Sequence, residues 1–195
     1  MKFRMLSVAA AMVLSAGAHA AVFSDNFNLD TQGLNSVPAG WTIGNAGTVD
    51  IIGGNPSAFF DELPGNGNYI DLDGSNGVPG AGTLSTSVAL PTAGTYVATF
   101  ELGGNHRDGT TDTVTVTFGS TTESFAIAPS AGFTTYSIST TASGAATLGF
   151  TDSRDGNVGA LLDDVSVSAV PEPTNVALMM AGLLGLGFAA RRRRG

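Results

Sequence analysis

Few residues of this chain could carry out covalent chemistry. It has 195 residues and no cysteine, which excludes a thiol nucleophile and a zinc–thiolate site. His106 is the only histidine after His19, and no Gly-x-Ser-x-Gly motif is present, so a Ser–His–Asp triad would have to use His106. Acidic residues are numerous, but nothing singles out a pair spaced for glycoside hydrolysis. The sequence therefore assigns no catalytic residue.

Polar hydrogen-bond donors are concentrated in one segment, residues 103–109, which reads GGNHRDG. One interpretation is a solvated loop, since loops collect polar side chains whether or not they bind anything. The other is that Asn105, His106 and Arg107 donate to sugar hydroxyls or carboxylates at the rim of the fold. These three are the candidate ligand-binding residues.

Two aspartates occupy positions where strand alternation predicts apolar side chains. In residues 22–27, Asp25 falls between Phe23 and Phe27. In residues 159–167, Asp163 is predicted to share a face with Leu161, Val165 and Val167. A carboxylate turned inward keeps its charge only with a partner, and a hard cation with oxygen ligands is one solution. We therefore expect a structural calcium ion between Asp25 and Asp163, the alternative being a β-bulge that turns each aspartate into water.

The segments that must position these residues are short strands. Residues 112–118 alternate valine or phenylalanine with threonine, the period-2 pattern of a half-buried strand. Gly-, Asn- and Pro-rich turns separate ten such segments. These are residues 22–27, 41–43, 48–52, 69–72, 83–90, 95–102, 112–118, 133–140, 145–151 and 159–167. The pattern predicts an all-β fold, an antiparallel jelly-roll-like β-sandwich over residues 21–169.

The charge of the predicted domain is strongly negative. Residues 21–170 contain 15 acidic residues and only two basic ones, Arg107 and Arg154, for a net charge of −13. Such a surface repels nucleic acid and anionic membranes, so neither is expected as a partner. About 150 residues are enough for one domain with a substantial core.

The last 26 residues, 170–195, combine three features. Pro171, Glu172 and Pro173 form a stiff strip, residues 176–190 are uncharged and apolar, and Arg191, Arg192, Arg193 and Arg194 follow. Fifteen helical residues span about 22 Å, less than the ~30 Å hydrocarbon core, so the predicted single-span helix is a weak anchor. The arginines are expected to stay on the cytoplasmic side, which places the domain outside. A permanent anchor and a buried core helix are the alternatives.

The N-terminus fits export. Lys2 and Arg4 precede an apolar stretch at residues 5–17, and small residues follow at Ala18 and Ala20. This is the pattern of a secretory signal peptide over residues 1–20, with cleavage by signal peptidase before Ala21.

Two resemblances extend these inferences. The Pro171–Pro173 strip, apolar run and arginine cluster resemble the PEP-CTERM sorting signal of Gram-negative bacteria. This implies recognition by an exosortase at the inner membrane, removal of the tail, and delivery to the envelope or an exopolysaccharide matrix. The fragments FSDNFN, GWTIGNAGTVDII, YIDLDGS, GTYVATFELGGNHR, DTVTVTFG and GALLDDVSVS resemble strands of galactose-binding-like jelly rolls. Several carbohydrate-binding modules of that kind carry a calcium ion beside their terminal strands.

Three functions are compatible with the sequence. The first is an exported, non-enzymatic envelope or matrix protein that associates with exopolysaccharide. The second is a purely structural, self-associating matrix protein. The third, which the missing catalytic motifs disfavour, is a hydrolase acting on polysaccharide.

Overall fold

The computed structural model describes residues 20–54, 60–75, 82–154, 156–171, 180 and 182–184. Nine strands follow one another in these residues: β1 Ala21–Asp25, β2 Thr42–Gly44, β3 Asp50–Gly53, β4 Asn68–Asp71, β5 Thr83–Gly103, β6 Asp112–Phe118, β7 Thr121–Ile127, β8 Thr134–Asp152 and β9 Leu161–Ala169. The all-β, antiparallel fold predicted from the sequence is confirmed.

Two long strands connect the two layers of the sandwich. β5 and β8 pair along almost their whole lengths, with an irregularity in β5 between Leu90 and Gly94. Before this point β5 pairs with β2, and after it with β9. One layer therefore contains β2, the first half of β5, the second half of β8, β6 and β7. The other contains β3, β4, β9 and the remaining halves, with β1 paired to β9.

The strand count differs from the prediction in two ways. The predicted strands at 83–90 and 95–102 are the two halves of β5, and those at 133–140 and 145–151 are the two halves of β8. Glycine and proline at the bends are typical of breaks between strands, yet the two strands pair again directly after the bend. β7 was not predicted, because this edge strand is mostly exposed and lacks a buried alternating face.

Alternate residues of both layers form the core. In β6, Val114, Val116 and Phe118 are buried, and the threonines between them face outward, as the period-2 pattern predicts. Phe100 from one layer packs edge-on against Phe150 from the other, with ring centroids 5.1 Å apart. Side chains from both layers therefore pack against each other to form the core between them.

The outer surface of the layer built from β2, β5, β8, β6 and β7 consists of small side chains. The pairing register of its five strands aligns residues into rows that run across the sheet, and two neighbouring rows matter here. The first row is Gly44, Thr83, Thr151, Thr115 and Ser124, and the second is Thr42, Ser85, Gly149, Thr117 and Thr122. We call these two rows the hydroxyl face.

The two predicted targeting segments fall mostly outside the described residues. This applies to the signal peptide at 1–20 apart from Ala20, and to Glu172, Pro173 and the four terminal arginines. Of the predicted membrane helix at 176–190, only residues 180 and 182–184 are described. Within the described part of the chain, no helix has the length and apolar character needed to cross a membrane.

Candidate functional site

Four buried aspartates gather where several strands end. Asp71 closes β4, Asp152 closes β8, Asp112 opens β6, and Asp73 follows β4 by two residues. Their exposed fractions are 0%, 4%, 1% and 2%, in the same order. We call these four residues the aspartate cluster. Charged side chains are almost never buried this deeply without partners.

The segment before β9 approaches the aspartate cluster through its backbone. The N–H of Gly159 donates to Asp71 Oδ1 at 2.9 Å, and the N–H of Ala160 donates to Asp152 Oδ2 at 2.6 Å. A Cβ atom on Gly159 would lie 2.8 Å from Asp73 Cβ and 3.0 Å from Asp152 Oδ2. Glycine is therefore needed at 159 for the backbone to satisfy these carboxylates.

The predicted ligand residues Asn105 and Arg107 belong to this buried network. Asn105 is 1% exposed, and its Nδ2 donates to Asp71 Oδ2 at 2.9 Å. Arg107 forms an ion pair with the same carboxylate oxygen, and its Nε donates to Asn105 Oδ1 at 3.0 Å. It also donates to the Asn157 carbonyl at 2.9 Å. Asn105 Nδ2 and the Nε and Nη2 of Arg107 are thus engaged within the protein, and ligand binding by these residues stays a prediction.

The Arg107 guanidinium also lies over an aromatic ring. Its guanidinium carbon lies 5.1 Å from the ring centroid of Phe60, within cation–π distance. The Arg107 side chain is 19% exposed. Of the three predicted residues, Asn105 is buried, Arg107 is partly exposed and His106 is exposed.

A second arginine balances part of the aspartate cluster. Arg154 pairs with Asp108, and its Nε lies 3.5 Å from Asp112 Oδ1. Burial, and then the charge of Asp152, raises the pKa of Asp112 to about 7. Burial also raises the pKa of Asp152. Burial raises the pKa of Asp71 well above its usual range, opposed chiefly by the charge of Arg107.

Asp25, one of the two predicted calcium ligands, is held by hydrogen bonds. Its Oδ1 accepts from the Phe27 N–H at 2.9 Å, and its Oδ2 accepts from Trp41 Nε1 at 2.8 Å. Asp25 pairs across the ladder with Val165, which belongs to the large core cluster. Because directly paired residues share a face, Asp25 points toward that core.

Asp163, the other predicted ligand, lies on the face of β9 that is turned away from the large core cluster. Leu162 joins the large core cluster and Leu161 a smaller second cluster, so alternation puts Asp163 on the side of Leu161. A bulge follows at Asp164, where φ is +46°, and returns Val165 to the large core. The prediction that Asp163 shares a face with Val165 and Val167 is therefore wrong, because the bulge breaks the alternation of side chains.

Burial raises the pKa of Asp163 to about 7, and the nearby charges of Asp164, Glu101 and Asp25 act in the same direction. Among the described residues, no group of three or more acidic or histidine side chains is arranged to hold a metal ion. The structural calcium ion predicted from the sequence at Asp25 and Asp163 stays a prediction.

A surface cleft of about 560 Å³ opens beside β1 and β9. It is lined by Ser24, Asp25, Asn26, Leu29, Asp164, Val165 and Ser166. None of Asn105, His106 and Arg107 contributes to its wall, so the cleft is separate from the predicted ligand loop.

The aspartate cluster was missed at the level of sequence, although a signal for part of it exists. Asp112, Val114 and Val116 are alternate residues of one strand, and Leu148, Phe150 and Asp152 are alternate residues of another. Both therefore continue an inward-facing row. Asp71 carries no such signal, because its partners Arg107 and Gly159 are 36 and 88 residues away.

A sequence model of the PEP-CTERM protein-sorting motif matches residues 169–194. The chain therefore carries this sorting motif, which indicates export and anchoring at the cell envelope. No curated protein matches the chain.

Solved structures share the fold at low sequence identity. The CBM22-1–GH10 modules of a Clostridium thermocellum endo-1,4-β-D-xylanase, complexed with xylohexaose, match with a TM-score of 0.54 and 14% identity over 78% of this chain and 29% of theirs. The chain thus spans under a third of that protein. A CBM22-1–CBM22-2 tandem domain from Paenibacillus barcinonensis matches at 0.51 and 12% identity, covering 85% of this chain and 53% of that one. The K1 cleaved adhesin domain of Lys-gingipain from Porphyromonas gingivalis W83 matches at 0.51 and 16%, covering 76% and 98%. The sandwich therefore has the fold of carbohydrate-binding modules.

Proposed function

We propose that this chain is an exported, non-enzymatic protein whose β-sandwich binds polysaccharide at the cell envelope or in the surrounding exopolysaccharide matrix. The observation that carries the proposal is the combination, in one chain, of a sorting motif at residues 169–194 with a sandwich of the carbohydrate-binding-module fold. The motif directs the protein to the compartment where polysaccharide is exposed, and the fold is one on which glycan sites are built.

Processing completes the proposal. Signal peptidase removes residues 1–20, and the tail holds the precursor in the inner membrane until an exosortase acts near Pro171. The protein then passes to the envelope or matrix of a Gram-negative bacterium. Support comes from the sorting motif together with the export pattern of the N-terminus.

The carboxylates that the fold brings together are buried, which argues against hydrolysis. A glycosidase needs two carboxyl groups that reach the scissile bond from either side. Asp112 and Asp152 are neighbours, but both are buried. Asp152 accepts from the backbone N–H groups of Arg154 and Ala160, and Asp112 lies beside the Arg154 guanidinium. His106 lies on an exposed loop, and none of the described hydrogen bonds joins its ring to a carboxylate or a hydroxyl.

The proposal is tested with the full chain, kept in mild detergent because of its apolar tail. Insoluble polysaccharides and a glycan array measure binding, and the release of reducing ends measures hydrolysis. We expect saturable binding to at least one polysaccharide without release of reducing ends. Absence of binding across the panel would contradict glycan recognition and favour the purely structural role, whereas steady release of reducing ends would show an enzyme.

A further inference from the structure

The hydroxyl face is free of charge in an otherwise strongly acidic domain. None of its ten residues is ionisable, although residues 21–170 carry a net charge of −13. Eight of the ten are serine or threonine, and the other two are glycine. Apart from Gly149, all are exposed or half-exposed. The neighbouring Glu123 of β7 pairs with the inward-facing Val116 and therefore belongs to the opposite face of the sheet.

Neighbouring strands hold the hydroxyl groups in fixed positions. Thr83 Oγ1 lies 2.8 Å from Thr151 Oγ1, and Thr115 Oγ1 lies 3.1 Å from Ser124 Oγ. Thr83 Oγ1 also accepts from Asn45 Nδ2 at 3.1 Å. A hydroxyl has one donor and two acceptor sites, so each pair still keeps a donor and at least two acceptors for a ligand. Threonine is stiff at χ1, and a paired hydroxyl loses little further freedom when a ligand binds.

The composition of the face argues against a protein or a membrane as its partner. Protein interfaces are rich in tyrosine, tryptophan, phenylalanine, methionine and arginine and poor in serine, and the hydroxyl face has none of the former. A second copy of the chain would therefore find no apolar anchor there. An anionic membrane or anionic polymer would be repelled by the net charge of −13.

We propose that the hydroxyl face is the surface that binds polysaccharide, and that its ligand is an uncharged polysaccharide. This inference rests on the proposed function and names its site and ligand class. Hydroxyls recur about every 6.7 Å along a strand and about every 4.8 Å between strands, which offers a polymer of sugar hydroxyls repeated donors and acceptors. Threonine methyl groups between them contact the C–H faces of the sugars. Each contact is weak, and affinity comes from many contacts along one polymer.

The test removes two hydroxyls without changing shape. Thr83→Val with Thr151→Val deletes the pair at 2.8 Å and keeps β-branched side chains suited to strands. The matched control is Thr95→Val with Thr141→Val, which deletes a cross-strand pair at 3.2 Å on the other layer. Binding of the full chain to insoluble neutral glucans, xylan and galactan is compared with binding to anionic polygalacturonate. Thermal melting and sedimentation velocity show that each variant is folded and report its association state.

We expect wild type and control to bind a neutral polysaccharide equally, and the Thr83/Thr151 variant to bind about tenfold more weakly, as the loss of two hydrogen bonds implies. If all three proteins bind equally, the hydroxyl face is not the site, although the proposed function stands. Binding to polygalacturonate alone overturns the ligand class. If the wild type sediments as a dimer that only the Thr83/Thr151 variant loses, the face is a self-association surface. Absence of all polysaccharide binding removes both proposals.

Discussion

Replacing Arg107 with alanine should strongly destabilise the domain, although Arg107 stands in a loop. Its partner Asp71 is 0% exposed, and Arg107 is the basic residue that meets it. Removing one member of a buried ion pair typically costs 3 to 5 kcal/mol, because the remaining charge is buried without compensation. The cation–π contact with Phe60 adds about 0.5 to 1 kcal/mol.

A loss of about 4 kcal/mol corresponds to a fall of roughly 8 to 16 °C in the melting midpoint of a domain of this size. Thermal melting of the full chain followed by circular dichroism measures it. The control is His106→Ala, an exposed neighbour expected to change stability by less than about 0.5 kcal/mol. Asp71→Asn should recover part of the loss in the Arg107→Ala background, because it removes the stranded charge.

The pH dependence provides a second check on the same variant. Without Arg107, the pKa of Asp71 in the folded state rises further above its value in the unfolded state. Between these two pKa values, Asp71 is protonated in the folded state and ionised in the unfolded state. The deficit of Arg107→Ala is therefore largest at pH 8 and shrinks as the pH falls. A midpoint within 2 °C of the wild type at pH 8 would refute the buried pair and restore the simpler view of a solvated loop arginine.

Three further predictions concern other parts of the chain. Burial raises the pKa of Asp112 to about 7, so the stability gained from protonated Asp112 is present at low pH and is lost as the pH rises through 7. Urea unfolding should show that the free energy of unfolding of the wild type, relative to Asp112→Asn, rises by about 1.4 kcal/mol from pH 6 to pH 5. A constant difference between the two proteins would contradict this. Calcium is predicted to raise the melting midpoint through Asp163; an equal midpoint in calcium and in chelator, or an equal gain in Asp163→Asn, would exclude that residue. Replacing Pro171, Glu172 and Pro173 with alanine should retain the precursor in the inner membrane, whereas mass spectrometry of an exported protein ending at Gly195 would indicate a permanent anchor instead.

The strands could be predicted from the sequence because their signal is local. In β6, Val114, Val116 and Phe118 alternate with threonines, and only an extended chain with one buried face fits that pattern. The continuity of β5 and β8 could not be predicted. A bend that keeps its ladder and a turn that breaks it have the same glycine and proline residues, and the pairing partner decides between them.

The site residues were less predictable because long-range contacts determine their roles. Asn105 and Arg107 look like free donors in a polar loop until Asp71, from a strand more than thirty residues earlier, is placed beneath them. Asp163 shows a different limit. Strict alternation predicts its face correctly relative to Leu161, but one residue with positive φ, Asp164, reverses the faces that follow. A bulge of this kind leaves no reliable mark in a single sequence.

The distribution of charge connects these observations to function. The aspartate cluster and its arginines lie at strand ends, where they bind the β5–β6 and β8–β9 loops to the sandwich. Charge needed to fix those loops is buried or paired there, and the outward positions of the hydroxyl face carry none. A domain with a net charge of −13 repels polyanions, and its charged surfaces stay strongly hydrated. By keeping one five-stranded surface neutral, the fold offers an uncharged polymer a place to bind without removing water from charged groups, which is the costly step in polar recognition.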